Sequence, residues 1–381
     1  MNFDEKVIEN RRFIHRNPEL GGKEFKTADF IESKLKELNI SCSRIGGTGV
    51  IGLIEGGASG KTIALRADMD AISVCEQNNV EYKSRNAGVM HACGHDAHVA
   101  IMLGAAELLS AERSKLKGNV KFIFQPNEEN SSGARIMINS GVLENPCVDF
   151  ILGTHVSPWL ESGKIGLKYG AVMSAVDKIK IDITGKIAHG AYPHEGIDAL
   201  VAASFFINMV QSIISREVDP RENAVITFGK ISGGDAYNVI CTNITLLGTV
   251  RSFNEKVRKL IEISIMKKIK ALETAFCVKC AVEYIRIGNA LINSREITES
   301  CLKTALEFYG REKVEMLQKP SMGGEDFSEY LDKIPGTFIY IGTSKDKNTS
   351  YPWHHSNFNI DETALPKASK YIVYTLKSFL R

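Results

Sequence analysis

The sequence predicts an α/β protein with two domains, the second inserted into the first. Three observations support this prediction. The chain has 381 residues, 44% of them hydrophobic, which is more than one ordinary core requires. Helical and buried-strand patterns alternate in its first part, as in a mostly parallel sheet covered by helices. From about residue 176, strands with alternating apolar and polar residues indicate a second sheet with one exposed face.

The elements of the first part follow from apolar periodicity. The first ~40 residues have a helical pattern, with Thr27 opening an apolar-periodic run. Three short segments rich in β-branched or aromatic residues, 62–65, 120–124 and 148–152, are predicted to be buried strands. A helix is predicted between the first two, from His95 to Arg113. In such a sheet, functional sites lie at the carboxyl ends of the strands.

The middle of the chain has a different order of elements. Its predicted strands are 176–183, 224–231, 239–250 and 278–287, and its predicted helices are 197–216 and 254–276. The order is βαββαβ, the split ferredoxin-like unit. We therefore predict an inserted domain at 176–289, between two segments of the first domain at 1–175 and 290–381. A helix at 362–380 ends the chain.

Composition narrows the function classes. The 47 basic and 45 acidic residues leave a net charge of +2, and no basic run is interleaved with aromatics. We therefore expect a small-molecule partner and no nucleic acid. No basic region followed by an apolar stretch begins the chain, and no window approaches 18 uncharged apolar residues, so we expect a cytoplasmic protein without a membrane span. The eight scattered cysteines do not suggest a disulfide framework.

One glycine-rich segment matches a nucleotide-binding pattern. Gly47-Thr-Gly49-Val-Ile-Gly52 has the GxGxxG spacing of a dinucleotide fingerprint. That fingerprint needs a helix to open at its end, whereas here Gly56-Gly-Ala-Ser-Gly60 follows, which is a poor helix start. We therefore predict turns flanking a short strand.

The segment Met90-His-Ala-Cys-Gly-His-Asp96 has the residue types of a metal site. Cys93 and His95 are separated only by Gly94, and glycine allows a backbone bend tight enough for both side chains to meet one ion. Without further donors the segment is equally typical of a loop rich in Cys and His. A metal of the first transition row needs about four donors, so the rest of the chain must supply them.

Further donors follow the predicted strands. Glu128 and Glu129 come after the second strand, and adjacent carboxylates diverge, so one can bind metal while the other acts as general base. His155 ends the third strand, and the pair His354-His355 comes late in the chain. Cys93, His95, Glu129 and His155, together with one histidine of that pair, make five donors. Five donors are enough for two ions if the thiolate or a water molecule bridges them.

These residues belong to motifs that span nearly the whole chain. The chain resembles the metal-dependent amidohydrolases that include hippurate hydrolase, N-acyl-amino-acid deacylases and auxin-conjugate hydrolases. The resemblance rests on His15-Arg-Asn-Pro-Glu19-Leu20, Leu65-Arg-Ala-Asp-Met-Asp70-Ala71, Met90-His-Ala-Cys-Gly-His-Asp96, Gln125-Pro-Asn-Glu-Glu129, Gly185-Lys-Ile-Ala-His189-Gly190 and Ser321-Met-Gly-Gly-Glu-Asp-Phe327. Departures from the family pattern are Asn127 for Ala, Ile72-Ser73 for Leu-Pro, and Cys241 for Pro.

The resemblance implies two divalent metal ions, with zinc or manganese first and cobalt or nickel as alternatives. It implies Cys93, His95, Glu129 and His155 as ligands and Glu128 as catalytic base. In the family the last ligand stands four residues before an aromatic and seven before an acidic residue, which here selects His354 over His355, given Phe358 and Asp361.

The resemblance also implies roles for the inserted domain and for one aspartate. The inserted domain is expected to act as a lid and to form a homodimer, lending His189 across the interface to the scissile carbonyl. Asn238 and Arg251 match positions that hold the substrate, the arginine suiting a carboxylate. Asp70 is expected to orient a metal ligand. For His98 we expect only helix packing, and for His91 and Asp96 a supporting role.

The function predicted from these residues is hydrolysis of the amide bond of an N-acyl amino acid. Metal ions polarise the carbonyl and acidify a water molecule, Glu128 moves its proton to the leaving amine, and His189 stabilises the oxyanion. The alternatives are a dipeptidase or aminopeptidase and an N-acetyl-diaminopimelate deacetylase. From another class, the alternative is a metal-stabilised binding protein without catalysis, against which the intact Glu128 argues.

Overall fold

The computed structural model describes residues 1–380 and contains helices and strands in alternation. The helices are α1 (Phe3–Arg16), α2 (Phe25–Glu37), α3 (His95–Ser110), α4 (Gly133–Asn139), α5 (Ala199–Ser212), α6 (Glu255–Phe276), α7 (Arg295–Tyr309), α8 (Ser328–Leu331) and α9 (Ala364–Phe379). The strands are β1 (Ser41–Ile45), β2 (Gly49–Glu55), β3 (Ala58–Asp68), β4 (Lys117–Gln125), β5 (Phe150–Glu161), β6 (Ile165–Leu167), β7 (Gly170–Met173), β8 (Ala175–Thr184), β9 (Ala224–Gly233), β10 (Asn243–Ser252), β11 (Lys279–Gly288), β12 (Leu291–Asn293), β13 (Val314–Met316) and β14 (Gly336–Ser344).

The chain forms two compact units. The first comprises Met1–Val172, Ile292–Lys319 and the chain from Asp326 onward. The second comprises Met173–Leu291 and Pro320–Glu325. This second unit extends beyond the boundaries 176–289 proposed from the sequence. The segment 320–325 has no helical or strand pattern, so only its contacts assign it: Ser174 donates hydrogen bonds to the carbonyl oxygens of Met322 and Gly323.

The first unit contains an eight-stranded sheet in the order β1-β2-β4-β3-β5-β14-β6-β13. Its four central strands, β4, β3, β5 and β14, are parallel to one another. Their residues are buried on both faces, as their continuous apolar runs predict. Carboxyl ends of parallel strands meet at one edge, so these strands deliver the residues that follow them to the same place. The predicted α/β class is confirmed.

Helix α3 lies in the core of the first unit. It is buried almost all round from His95 to Leu109, which is typical of a helix surrounded by others. It packs against α1 and α9, and α9 packs against α7. The amino-terminal end of α3, where His95 stands, is therefore held by a large apolar core.

The second unit contains a four-stranded antiparallel sheet in the order β11-β8-β10-β9, with α5 and α6 packed on it. The chain order β8-α5-β9-β10-α6-β11 is the predicted βαββαβ unit. Ile179, Ile181 and Ile183 of β8 are fully buried, and the residues between them are more exposed. The alternation in the sequence therefore identified the core face of this sheet.

Several predicted element boundaries were wrong. Helix α3 ends at Ser110 rather than at Arg113, and the predicted strand 239–250 begins only at Asn243. The segment before Asn243 does not join the sheet, because Val239 pairs with His189 in an isolated bridge. The glycine-rich segment at 47–52 forms a turn and the strand β2, and no helix opens at its end.

One helical segment is a candidate membrane span by length and composition. The helical segment Ala199–Glu217, which comprises α5 and the turn after it, contains an 18-residue window of mean hydropathy 1.4. By length and composition alone it could cross a membrane, although the core helices of soluble proteins meet the same criterion. Of that window, 33% is buried inside the protein.

Candidate metal centre

Acidic and histidine side chains meet at the carboxyl ends of β3 and β4 and beside β5, which continues to Glu161, so His155 does not end its strand as predicted. β3 ends at Asp68, which pairs in register with Gln125 at the end of β4. Glu128 and Glu129 follow β4, and His155 lies within β5, the other neighbour of β3. The sheet edge predicted to carry the site therefore brings these residues together.

The segment before α3 supplies a thiol and an imidazole to the same edge. Gly94 has a φ of 91°, in the region that favours glycine, and a Cβ there would lie 2.4 Å from Cγ2 of Val156. The tight bend at Gly94 thus lets the chain pass against β5. Cys93 and His95, on either side of it, are both buried.

The donor atoms of these side chains form overlapping groups. Those of Cys93, His95 and His155 lie within 4.8 Å of one another, and so do those of Cys93, Glu129 and His354. Within these groups, Cys93 Sγ is 3.5 Å from His155 Nε2, and His354 Nε2 is 3.3 Å from Glu129 Oε1. Because Cys93 belongs to both groups, the arrangement suits two ions that share its thiolate.

The environment of His95 fits a bound cation. Its Nδ1 lies 3.0 Å from the carbonyl oxygen of Asp70 and therefore carries a proton, so Nε2 is the ring nitrogen that can face a metal ion. Nε2 has no hydrogen-bond partner among residues 1–380 and faces the carboxylates of Asp68, Glu128 and Glu129 at 3.6, 3.9 and 3.9 Å. An unpaired buried nitrogen among carboxylates is costly unless a cation lies between them, so the donor set fits divalent metal.

The pKa values describe the same electrostatic field. Burial alone lowers the pKa of His95, but the carboxylates of Asp68, Asp70 and Glu129 raise it to about 10. Burial likewise raises the pKa of Glu129, but the imidazoles of His354 and His95 bring it below its usual value. The pKa of His155 is well below its usual value because the ring is buried. The site therefore attracts positive charge while His155 stays neutral, as a metal ligand must.

Asp70 contacts two of the candidate ligands. Its Oδ1 lies 3.2 Å from Nδ1 of His95, and its Oδ2 accepts a hydrogen bond of 3.0 Å from the backbone N–H of Glu129. Both the ring of His95 and the backbone of Glu129 are thereby held by one carboxylate. This geometry matches the orienting role predicted for Asp70.

Only one of the two late histidines reaches the centre. His354 has a positive φ of 66° and donates its backbone N–H to the carbonyl of Ala92. This turns its imidazole toward Glu129. The ring of His355 instead stacks on Tyr351 at 4.7 Å between centroids. The structure thus places His354, the residue preferred from the sequence, beside Glu129 and leaves His355 outside the donor groups.

Sequence reasoning missed the part that His98 and Asp68 play. His98 Nδ1 lies 2.5 Å from Asp68 Oδ1, and His98 Nε2 accepts a hydrogen bond of 2.9 Å from the backbone N–H of Val156. His98 therefore connects the end of β3 to the backbone beside His155 and does more than pack in a helix. The available signal was Asp68 itself, which stands at a strand end two residues before Asp70.

Behind the centre lies a buried network around Asp96. Asp96 Oδ2 is 2.8 Å from Arg11 Nε and 2.7 Å from His15 Nδ1, and the other nitrogen of His15 lies 3.1 Å from Glu76. His91 is buried nearby, and burial lowers its pKa to about 3. Asp96 and His91 therefore belong to none of the donor groups, and the supporting role expected of them stays a prediction.

The remaining predicted residues lie in the second unit. His189 accepts a hydrogen bond at Nδ1 from the backbone of Ala191, and its segment pairs with the one that follows Asn238. Arg251, on β10, is half-buried, and burial lowers its pKa. Its backbone is paired in the sheet, but among residues 1–380 its side chain has no hydrogen bond or ion pair, so its guanidinium is available to an anion.

Comparison with known proteins assigns the family. N-acetyl-L-cysteine deacetylase of Bacillus subtilis (strain 168) is 40% identical over 99% of this chain and 89% of that protein. N-acetyldiaminopimelate deacetylase of Streptococcus suis (strain 05ZYH33) is 35% identical over 98% of each. The crystal structure of the Bacillus subtilis YXEP protein, described as a dinuclear metal binding peptidase from the M20 family, has 34% identity, covers 99% of this chain and 98% of that one, and gives a TM-score of 0.87.

The sequence also matches the profile of peptidase family M20/M25/M40 over residues 64–378. The match and the relatives confirm the resemblance and the prediction of an enzyme that hydrolyses linear amide bonds. The chain belongs to peptidase family M20/M25/M40.

Proposed function

We propose that this protein uses two divalent metal ions to hydrolyse the amide bond of N-acyl amino acids. The observation that carries the proposal is the convergence of Cys93, His95, Glu129, His155 and His354 around shared donor positions, with Glu128 beside them. A second carboxylate at the site distinguishes a hydrolytic centre from one that only stabilises the fold. The relatives named as deacetylases of N-acetylated amino acids support this substrate class.

The proposed ligands have the softness expected for zinc or manganese, with cobalt and nickel as alternatives. A thiolate, imidazoles and a carboxylate form a mixed donor set that tolerates several divalent ions. When bound, such ions polarise the substrate carbonyl and lower the pKa of a water molecule. Cys93 is the proposed bridging donor because both donor groups contain it.

Glu128 is the proposed general base. Its carboxylate is largely buried and one oxygen lies 3.9 Å from His95 Nε2, close enough to the centre to receive a proton from water there. Glu129, its neighbour, lies equally far from His95 Nε2 and in addition 3.3 Å from His354 Nε2. After accepting the proton, Glu128 can pass it to the leaving nitrogen, which must gain one when the amide C–N bond breaks.

The second unit supplies the proposed substrate contacts. His189 is largely exposed, and because Nδ1 accepts a backbone N–H, the proton stands on Nε2, which can donate to the developing oxyanion. Asn238 lies on the segment paired with that of His189. Arg251 has no ion-pair partner among the described residues and is proposed to bind the carboxylate of the amino-acid product.

We further propose a homodimer formed through the second unit. On α5 the apolar side chains of Leu200, Val201 and Phe205 are 51%, 43% and 56% exposed. β9 is the edge strand of the same sheet and leaves Ile231 50% exposed. An apolar helix stripe beside an open strand edge favours association with another copy, in which His189 of one subunit serves the substrate of the other.

We also propose a cytoplasmic location. The eight cysteines are free of disulfides, as is usual in a reducing compartment.

The test is hydrolysis by the metal-free protein after addition of zinc, manganese, cobalt or nickel. The substrates are N-acyl amino acids, dipeptides with a free amino group, and N-acetyl-diaminopimelate. We expect turnover of N-acyl amino acids that requires about two ions per chain and is lost on chelation. A preference for free-amine dipeptides would replace the proposal by a peptidase, and a preference for N-acetyl-diaminopimelate by that deacetylase. Metal-dependent thermal stabilisation without any turnover would indicate a binding protein.

A further inference from the structure

The backbone of one residue, Val156, contacts both parts of the chain that carry His155 and His354. The carbonyl oxygen of Val156 accepts hydrogen bonds from Nδ1 of His155 at 2.9 Å and from the indole Nε1 of Trp353 at 3.0 Å. The N–H of the same residue donates to His98 Nε2 at 2.9 Å. Both backbone polar groups of Val156 are therefore engaged with side chains at the candidate metal centre.

The first of these hydrogen bonds sets the tautomer of His155. With Nδ1 donating to Val156, the proton stands on Nδ1 and the lone pair on Nε2, the atom that lies 3.5 Å from Cys93 Sγ. The carbonyl thus selects the tautomer that can bind metal. His98 accepts the backbone N–H of Val156, which belongs to the preceding peptide group, so the backbone is held on both sides of the Val156 Cα.

The second bond involves the residue next to His354. His354 has a φ of 66°, a backbone conformation that is uncommon outside glycine, although Asn, Asp and His adopt it more often than other residues. Such a conformation persists only where its surroundings fix it. Two contacts fix it here: the backbone N–H of His354 donates to Ala92, and the side chain of Trp353 is bound to Val156.

We propose that Trp353 is a positioning residue of the metal centre, whose indole N–H sets His354 by tying its loop to the peptide that also sets His155. Its ring also packs on His155 at 4.4 Å between centroids. Two functions of the side chain, donating the hydrogen bond and filling space, can therefore be separated by experiment. The inference rests on the proposed function, because it takes His155 and His354 as ligands.

The chain offers a matched control in Trp159. Its ring lies 4.2 Å from that of Trp353, and it is 54% exposed. Its indole makes no hydrogen bond within residues 1–380. Trp159→Phe therefore replaces an indole of the same aromatic cluster by a smaller ring without removing a hydrogen bond.

The test measures metal binding without substrate. Metal-free wild-type protein, Trp353→Phe and Trp159→Phe are titrated with zinc, and the cobalt-loaded forms are compared by their visible absorption spectra. We expect Trp353→Phe to bind one ion about tenfold to a hundredfold more weakly, as for other residues that orient metal ligands, and to change the cobalt spectrum. Trp159→Phe is expected to retain both affinities and the spectrum.

A second variant separates the hydrogen bond from packing. Benzothienylalanine at position 353 keeps a bicyclic ring but has sulfur in place of the N–H group, so it packs without donating. We expect it to weaken the same ion, and wild-type affinity in this variant overturns the inference. Equal losses in Trp353→Phe and Trp159→Phe also overturn it. If the wild-type protein binds no metal, both the proposed function and the role of Trp353 are overturned. If every variant binds two ions tightly, only the role of Trp353 is overturned.

Discussion

Asp70 accepts a hydrogen bond of 3.0 Å from the backbone N–H of Glu129, while its other oxygen lies 3.2 Å from Nδ1 of His95. Two donors from different parts of the chain thus share one carboxylate. Because Asp70 is buried, neither donor can turn to bulk water if an oxygen is lost. The positions of a candidate ligand on α3 and of another after β4 therefore depend on the same side chain.

Replacement of Asp70 by Asn is expected to weaken metal binding. Asparagine has one acceptor oxygen and one amide nitrogen, so one of the two N–H donors, at His95 or Glu129, must face another donor. We expect the affinity for at least one ion to fall about tenfold to a hundredfold, measured by titration of the metal-free protein.

Asp149→Asn is the matched control for this change. Asp149 also accepts a backbone N–H, from Thr62 at 2.7 Å, but near the opposite end of β3 from Asp68. It should leave both metal affinities at their wild-type values. Wild-type affinity in Asp70→Asn would show that the aspartate does not position these ligands.

The adjacent residues Glu128 and Glu129 are expected to respond differently to the same substitution. Glu128→Gln removes the proposed base but no proposed ligand, so turnover should fall about a hundredfold to ten thousandfold while metal content stays unchanged. Glu129→Gln removes a charged donor that faces His354 and His95, so the metal content itself should fall. Metal analysis of both variants, with kcat measured at saturating metal, distinguishes the two roles. Near-normal turnover in Glu128→Gln would contradict the assignment of the base.

Much of this site could be predicted because its residues stand at positions that local patterns mark. Glu128, Glu129 and Asp70 follow apolar strand segments, and the parallel arrangement of those strands brings their ends together. What could not be predicted depends on contacts between distant segments. The bond from Val156 to His98 joins residues 58 positions apart, and no periodicity indicates it.

The choice between His354 and His355 shows the same limit. Both residues stand side by side, and the sequence separates them only by comparison with family spacing. In the structure the difference is the backbone at His354, whose positive φ turns one ring toward Glu129, while the ring of His355 stacks on Tyr351. A single left-handed residue reverses the direction of a side chain, and local composition does not reveal it.

The exposed stripe on α5 is expected to be a subunit interface. Phe205→Glu places a charge at the centre of that stripe, where burial against another copy would leave it without a partner. We expect the variant to sediment as a monomer when the wild-type protein sediments as a dimer. Phe25→Glu is the control, since Phe25 is 61% exposed on α2 in the first unit. Loss of the dimer in both variants, or in neither, would rule out α5 as the interface.

The buried imidazole of His15 is expected to stabilise the protein most at low pH. Burial and Arg11 lower its pKa, but Asp96 and Glu76 raise it above its usual value. Its stabilising contribution is therefore complete below about pH 6.5, the pKa of histidine in the unfolded chain. The contribution is lost as the pH rises through the higher pKa of the folded state. His15→Asn should cost about 3 kcal/mol in urea unfolding near pH 6 and less in alkaline buffer. The exposed His194→Asn should show no such trend, and a cost of His15→Asn that grows with pH would refute the charged state.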